Sequence, residues 1–317
     1  MTIEHARADA LPKPWGIVDL RPWNDARHNG EAIGEIWYER PNRAVADSLL
    51  LLKLLFTSQP LSIQVHPDDA YAHSIGLPNG KSEAWYVVSA APRAKVALGL
   101  KQRISPQKLH DAVDDGSISN LVAWRAVSQG DVISVPAGTI HAIGPGLVIA
   151  ELQQRSDATF RMFDHGRQRE LHIENAMAVA NAGPADVQVQ PNRLTNERTI
   201  LVSSPHFMYE KCDLPPNSAW RLKAARETWL LVLSGGARIG SFDVATGDAV
   251  YMQADHVNIE TGTTGLVGLV AYTGIGPIPD LLQCLGLPDV RDMRQAPEVR
   301  VRSSLPQVTR ACTEAML

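Results

Sequence analysis

Short runs of alternating apolar and polar residues, separated by Gly, Pro, Asn and Asp, recur along the chain. Such a pattern predicts strands and tight turns rather than long helices. Gly34 to Glu39 (GEIWYE) alternates at strand period, with Ile36 and Tyr38 opposing Trp37. Ser48 to Phe56 (SLLLLKLLF) is apolar throughout except for Lys53, which predicts a strand covered on both faces. After a turn at Thr57 to Pro60, Leu61 to His66 (LSIQVH) alternates again. Ser62, Gln64 and His66 are expected on one face of that strand and Leu61, Ile63 and Val65 on the other. Trp85 to Val88, Ala94 to Leu98, Asp131 to Val135, Leu147 to Gln153 and Phe160 to Phe163 continue the series. Helical signals are fewer. Asp68 can cap a helix to about Ile75, Ser105-Pro106 opens one that runs to about Asp114, and Leu171 to Ala180 is rich in alanine. A further short helix is expected over Ile118 to Trp124.

From Val187 onward the text returns to short strands, at Ser203 to Leu214, Glu227 to Leu233, Ala237 to Phe242, Asp248 to Met252 and Leu266 to Tyr272. Residues 1–12 read as a loose arm, Leu281 to Leu285 as a helix, and the chain beyond Pro297 as a mobile tail. An internal echo links the two halves. Gly130-DVISV-Pro136-A-Gly138-TI-His141 has a counterpart of equal spacing at Gly247-DAVYM-Gln253-A-Asp255-HV-Asn258, where the proline, the second glycine and the histidine are gone. The expected architecture is mainly β. Two barrels of jelly-roll type are predicted, the second degenerate, with a small helical insert in the first. The expected limits are residues 1–185, 186–280 and a tail over 281–317.

Composition narrows the class without naming a function. A chain of 317 residues has room for two domains. Its 44% hydrophobic and 20% charged residues fit a globular protein. The net charge of -4, with basic residues scattered, gives no reason to expect nucleic acid or an anionic membrane as partner. No apolar run reaches membrane-spanning length, and the first residues lack the apolar core of a secretory signal. Cys212, Cys284 and Cys312 are too few and too far apart for a disulfide framework, so a cytoplasmic location is expected. They also exclude a thiolate metal site.

The candidate chemistry starts at the strand Leu61 to His66. A hydroxyl, an amide and an imidazole share its polar face, and Glu83 follows seventeen residues after His66. An imidazole, a carboxylate and an amide oxygen brought together suit a divalent metal with mixed N/O ligation. In G-x5-P-x-G-x2-H, the glycines and proline make a tight bend between strands that would deliver His141 to the interior. That spacing is a signature of cupin barrels, which hold a metal in the barrel mouth. Glu151, on the strand after His141, could face the same space.

Taken together, the motifs resemble type I mannose-6-phosphate isomerases in their short bacterial form. The matching segments are QVHPDD at Gln64 to Asp69, GKSEAWYV at Gly80 to Val87, VPAGTIHAIG at Val135 to Gly144, SDATFRMFDHGR at Ser156 to Arg167 and RELHIENAM at Arg169 to Met177, with KPWG and GEIWY earlier in the chain. The resemblance covers about residues 12 to 280. It implies one zinc ion per chain, held by Gln64, His66, Glu83 and His141. It also implies a catalytic role for Arg161, with Asp157 near the substrate, Lys81 beside the metal carboxylate and Ser62 toward the phosphate. The implied reaction interconverts mannose 6-phosphate and fructose 6-phosphate through a cis-enediolate, and the implied partner is a hexose phosphate bound by a monomer or small homo-oligomer. Lys81, with a lowered pKa, and Glu151 are both open as the base. At least one further Lys or Arg is needed for the phosphate.

Competing readings accompany each residue. Lys81 could be a solvated turn lysine, Arg161 a partner of Asp157 or Asp164, and Glu151 a partner of a rim arginine. His73, His165, His172, His206 and His256 read most simply as surface or helix residues. His165 stands where the family usually has Trp or Tyr, which could alter a pocket wall. Two rival functions are an iron dioxygenase, which typically uses two histidines and one carboxylate, and a non-catalytic sugar-phosphate-binding cupin.

Overall fold

The computed structural model describes residues 2–25, 30–41, 48–186 and 188–286. The expected mobile tail beyond Pro297 lies outside them. In chain order the first half contains β1 (Thr2–His5), β2 (Arg7–Ile17), β3 (Ile33–Glu39), β4 (Leu50–Thr57), β5 (Ile63–Val65), α1 (Asp69–Ser74), β6 (Glu83–Ala90), β7 (Lys95–Leu100), α2 (Pro106–Asp114), α3 (Ile118–Leu121), β8 (Val122–Ala126), β9 (Val132–Val135), β10 (His141–Ile143), β11 (Leu147–Gln154), β12 (Phe160–Phe163) and α4 (Ile173–Val179). The second half contains β13 (Asn192–Arg193), β14 (Arg198–Ser203), β15 (Phe207–Leu214), β16 (Ala219–Ile239), β17 (Phe242–Ala245), β18 (Ala249–Thr273) and β19 (Leu282–Gly286).

Three antiparallel sheets result. A six-stranded sheet has the order β2-β3-β4-β11-β6-β9, and a five-stranded sheet has the order β12-β5-β10-β7-β8. These two face each other and enclose the first barrel. The third sheet, of eight strands, comprises β13 to β19 and β1. Strand β4 shows how the layers are stacked. Leu50, Leu52, Leu54 and Phe56 pack with Leu201, Phe207, Tyr209, Trp229 and Tyr251 of the third sheet in one continuous core. On the alternate face, Lys53 and Leu55 line the barrel interior. An uninterrupted buried strand therefore needs two apolar faces, and the one lysine marks the interior face. On the outside of the five-stranded sheet, Ile63, Val65, Ala97, Phe160 and Met162 pack against Leu109, Ala112, Val113 and Ala176 of the helical insert.

Helix starts are faithful to their caps. The Asp68 side chain accepts the Tyr71 N–H, and the Ser105 side chain accepts the Lys108 N–H with Pro106 at the first helical position. Five expectations are corrected. The N-terminal arm is β1 and β2, and β1 pairs with β18 through Thr2–Gln253 to His5–Val250. The helix over Ile118 to Trp124 stops at Leu121, because Val122 to Ala126 pairs with β7. Leu281 to Leu285 is not helical, since β19 pairs with β16. Glu227 to Leu233 and most of Ala237 to Phe242 merge into the long, bent β16, and Asp248 to Met252 and Leu266 to Tyr272 into β18, whereas Ser203 to Leu214 stays separate and contains β15. Trp229 of β16 lies between Tyr251 and Ala271, both from β18. Finally, only Ile63 to Val65 of the stretch Leu61 to His66 is ladder-paired. Upstream, Leu61 donates its N–H to Ile143 O, falls out of phase and lines the interior.

Candidate metal centre and active site

The site is built from two facing rows. In the five-stranded sheet, Gln64 of β5 lies between two cross-strand partners, His141 of β10 and Arg161 of β12. Directly paired residues in an antiparallel sheet point the same way, so amide, imidazole and guanidinium line one face. The bend that turns His141 inward is made by Pro136 and by Gly138, whose φ is +83°. The Gly138 N–H donates to His66 O, which ties the bend to the other histidine. In the six-stranded sheet, Glu151 pairs with Lys53 on one side and Trp85 on the other, and Glu83 pairs with Gln153 two residues along. A cavity of about 280 Å³ lies between the rows, near the lower limit for small-molecule sites. Ser62, Gln64, Lys81, Glu83, Glu151, Asp157 and Arg161 all line it.

Behind Gln64 and Glu83, which line the cavity while His66 and His141 do not, His66, Glu83 and His141 offer ligand atoms that all lie within 4.8 Å of one another, and all three are fully buried. Among the described residues this is the one His/Cys/Asp/Glu group close enough to hold a metal ion. The tautomers can be read from the hydrogen bonds. His66 Nδ1 lies 2.8 Å from Ala158 O, and His141 Nδ1 lies 2.8 Å from Thr139 O. A carbonyl only accepts, so both Nδ1 atoms carry the proton and both Nε2 lone pairs face inward. His66 Nε2 is 3.2 Å from one Glu83 oxygen and has no hydrogen-bond partner; His141 Nε2 is 3.9 Å from the other. Lone pairs of two imidazoles and a carboxylate converge there, a set that suits a cation, with Lys81 Nζ 3.1 Å from Glu83 Oε1 and Trp85 Nε1 donating to Glu83 Oε2 at 3.1 Å. Gln64 Nε2 is 3.2 Å from His141 Nε2, and Gln64 Oε1 accepts from Ser62 Oγ at 2.9 Å. A half-turn of this amide would present its oxygen to the same point.

The electrostatics keep these groups in ligand form. Burial, reinforced by Lys81, holds the His66 pKa down to about 3, and burial also lowers His141. Burial alone would raise Glu83, but Lys81 and His66 outweigh it and hold the carboxyl well below its usual range. Lys81 is buried, not solvated, with Nζ 3.1 Å from Glu83 Oε1. Its pKa is raised, contrary to the expected lowering. Burial pulls it down, but the charges of Glu83 and Glu151 outweigh that. Glu151 pairs with Lys53 at 3.4 Å rather than with an arginine. Burial and the charge of Glu83 push Glu151 up to about 7. Among the described residues Arg161 makes no ion pair. Asp164 is taken instead by Arg167 and Arg169, and the Arg161 guanidinium lines the cavity with Nη1 donating to Glu170 O at 3.1 Å. Asp157 is exposed at the mouth.

Curated relatives are similar to this chain in sequence. A mannose-6-phosphate isomerase of Streptococcus mutans is 39% identical over 202 residues, which are 60% of this chain and 62% of that protein. The chain thus spans less than two thirds of that relative's length. The mannose-6-phosphate isomerase ManA of Bacillus subtilis is 32% identical over 232 residues, covering 67% of this chain and 69% of its own length. The chain belongs to the mannose-6-phosphate isomerase family. No family model matches it. Solved structures of mannose-6-phosphate isomerases share its cupin-like fold. The protein from B. subtilis superposes with a TM-score of 0.75 at 24% identity, over 86% of this chain and all of that one. A phosphomannose isomerase from Salmonella typhimurium gives 0.69 at 13% identity, over 87% of this chain and all of that one.

Within this member of the mannose-6-phosphate isomerase family, several cavity residues were not found from sequence. Lys13, Trp15, Glu35, Lys53, Arg169 and His172 all line the space. Lys53 had a signal, because a lysine inside a run of leucines must meet a partner or a cavity, and it meets Gln153 Oε1 at 2.7 Å. His172 reads as a helix residue and had no comparable signal. His165 is absent from the cavity wall. Its Nε2 donates to Leu61 O at 2.9 Å, so it ties the loop after β12 to the chain before β5.

Proposed function

We propose that the chain is a metal-dependent aldose–ketose isomerase that interconverts mannose 6-phosphate and fructose 6-phosphate. The observation that carries this reading is the cluster of converging acceptors from His66, Glu83 and His141, set beside buried Lys81 and Glu151 at a cavity that Lys53, Arg161 and Arg169 also line. The named activity of the curated relatives points the same way. His66 Nε2, His141 Nε2, Glu83 and, after its half-turn, Gln64 Oε1 would hold one zinc ion, whose borderline character suits an N/O set. When bound, the ion supplies electrophilic stabilisation of the negative charge that develops on the sugar oxygens.

The residues of the chain do the rest. Glu151, with its pKa near neutrality, takes the proton from C2 of the open-chain aldose and returns it to C1. Lys81 stays protonated and donates toward the enediolate oxygens, and Arg161 adds a permanent positive charge from the opposite wall. The phosphate is met by Ser62, Arg161 and Arg169, and the last of these supplies the extra cation that the sequence called for. The free thiol of buried Cys212 suits a cytoplasmic location. A coupled assay on mannose 6-phosphate, with and without a chelator, tests the reading. Turnover that disappears with the chelator and returns with zinc is expected. An inactive zinc-loaded protein would overturn it.

A further inference from the structure

Strand β12, which carries Arg161, is the edge of the five-stranded sheet. An edge strand has a row of main-chain groups with no neighbouring strand to meet them. At Arg161 that row is closed by one histidine. The His172 N–H donates to Arg161 O at 2.9 Å, and the Arg161 N–H donates back to His172 Nδ1 at 3.2 Å. The imidazole thus stands where the carbonyl of a neighbouring strand would be. Just before it, Glu170 O accepts from Arg161 Nη1 at 3.1 Å, so the same three residues grip both the main chain and the guanidinium.

His172 is itself held by the start of α4. It is the residue before Ile173, and its carbonyl accepts the Ala176 N–H at 2.8 Å. Helix α4 in turn packs through Ala176 onto Phe160 and Met162 of β12. Because Nδ1 accepts, the ring proton resides on Nε2. Burial and the charge of Arg161 both disfavour a second proton, which Glu170 partly offsets. A neutral ring keeps Nδ1 available as an acceptor.

We propose that His172 is a positioning residue. Through Nδ1 it fixes the main chain of Arg161, and hence sets how far the Arg161 guanidinium reaches into the cavity beside Gln64. The proposal rests on the isomerase reading for its kinetic consequence, but the clamp can be measured without turnover. A displacement of about 1 Å in a positioned charge can cost on the order of a hundredfold in rate. In the zinc-loaded full chain, His172→Ala is expected to lower kcat by about tenfold to a hundredfold. KM should change much less and zinc content not at all.

Two amide variants separate the ring nitrogens. In His172→Asn the side-chain oxygen can occupy the Nδ1 position, and kcat should return to within about threefold of wild type. In His172→Gln the amide reaches the Nε2 position instead, and kcat should stay as low as in the alanine variant. Hydrogen exchange at the Arg161 amide gives the second readout. Protection should be lost in the alanine and glutamine variants and kept in the asparagine variant. Wild-type kcat and exchange in His172→Ala would overturn the proposal. So would rescue by glutamine but not asparagine, which would assign the role to Nε2. An inactive wild-type protein would defeat the isomerase reading alone, because amide exchange would still report on the clamp.

Discussion

Two glycine–aspartate turns, at Gly130-Asp131 and Gly247-Asp248, allow the two halves of the molecule to be superposed residue by residue. Gly130 and Gly247 have φ of +91° and +89°. Their N–H groups donate to Val87 O and Val232 O, and those valines donate back to Asp131 O and Asp248 O. The aspartate side chains accept the N–H of Ser128 and Ala245, each at 2.8 Å. The sheet register then carries the match onward, with Glu83 paired with Val135 and Thr228 paired with Met252. Threonine therefore stands in the second half where the first has its metal-site carboxylate.

Past that point the halves diverge. In the first, Pro136 and Gly138 interrupt the strand, and the chain resumes with His141 buried. In the second, β18 continues with a register shift opposite Leu222 and Ala224, and Asn258 is exposed. Asn258 shares its strand parity with buried Met252 and Ala254, so the register shift between Ala254 and Val257 is what turns it outward. The interior of the second half is correspondingly filled by Trp220, Leu222, Leu230, Met252, Ile259 and their neighbours. The second half thus lacks both the histidine and the Pro–Gly bend that aims it in the first.

The widest separation between the halves should come from His141→Ala and Asn258→Ala. The first is expected to lose bound metal and to lower turnover by about a thousandfold or more. The second should leave both unchanged, and stability within about 0.5 kcal/mol. Metal analysis and the isomerase assay read the pair, and a silent His141→Ala would break the comparison. Next, Arg161→Ala should keep the metal and lower kcat by about a hundredfold to a thousandfold; full turnover would remove Arg161 from the reaction.

Replacing the two turn glycines sharpens the structural side. A β-carbon at Gly130 meets nothing within 4 Å, so Gly130→Ala should cost about 1–2 kcal/mol of left-handed strain. At Gly247 the same atom would fall 2.3 Å from Trp23 O, and Gly247→Ala should cost about 1–3 kcal/mol more. Urea unfolding of both variants gives the difference, and equal losses would mean that packing around the turns does not distinguish them.

The smallest effect is expected at the cavity rim. Burial would raise the Asp164 pKa, but Arg169 and Arg167 outweigh it and hold it below its usual value. A depressed carboxylate stabilises the fold above its unfolded pKa, and that stability is lost as pH falls through the folded one. Asp164→Asn should therefore cost about 1–2 kcal/mol at pH 7. The gap from wild type should close at acid pH, below 3.8. A gap that persists there would point to packing rather than charge.

Much of the site could be read in the text because it depends on local rules. Strand period put Gln64 and His66 on one face, and turn chemistry placed the Pro136–Gly138 bend ahead of His141. Caps at Asp68 and Ser105 fixed two helix starts. What escaped depends on partners distant in sequence. The segment Thr2–His5 carries no strong strand signal and becomes a strand because β18 offers it an edge. Leu281 to Leu285 has a short apolar pattern that suits either state, and β16 decides for strand. The raised pKa of Lys81 required knowing that Glu83 and Glu151 come from neighbouring strands while Arg161 lies on the facing sheet.

The sequence by itself determined the alternation, the breaks and the ligand types, because those follow from side-chain period and backbone sterics within a few residues. Tertiary structure alone decided that Lys53 and Glu151 would meet and that His172 would close the edge at Arg161. It also decided that the ligand atoms of His66, Glu83 and His141 would converge within 4.8 Å of one another. Those are distances between strands far apart in the chain, and they are set only when the two sheets close over the cavity.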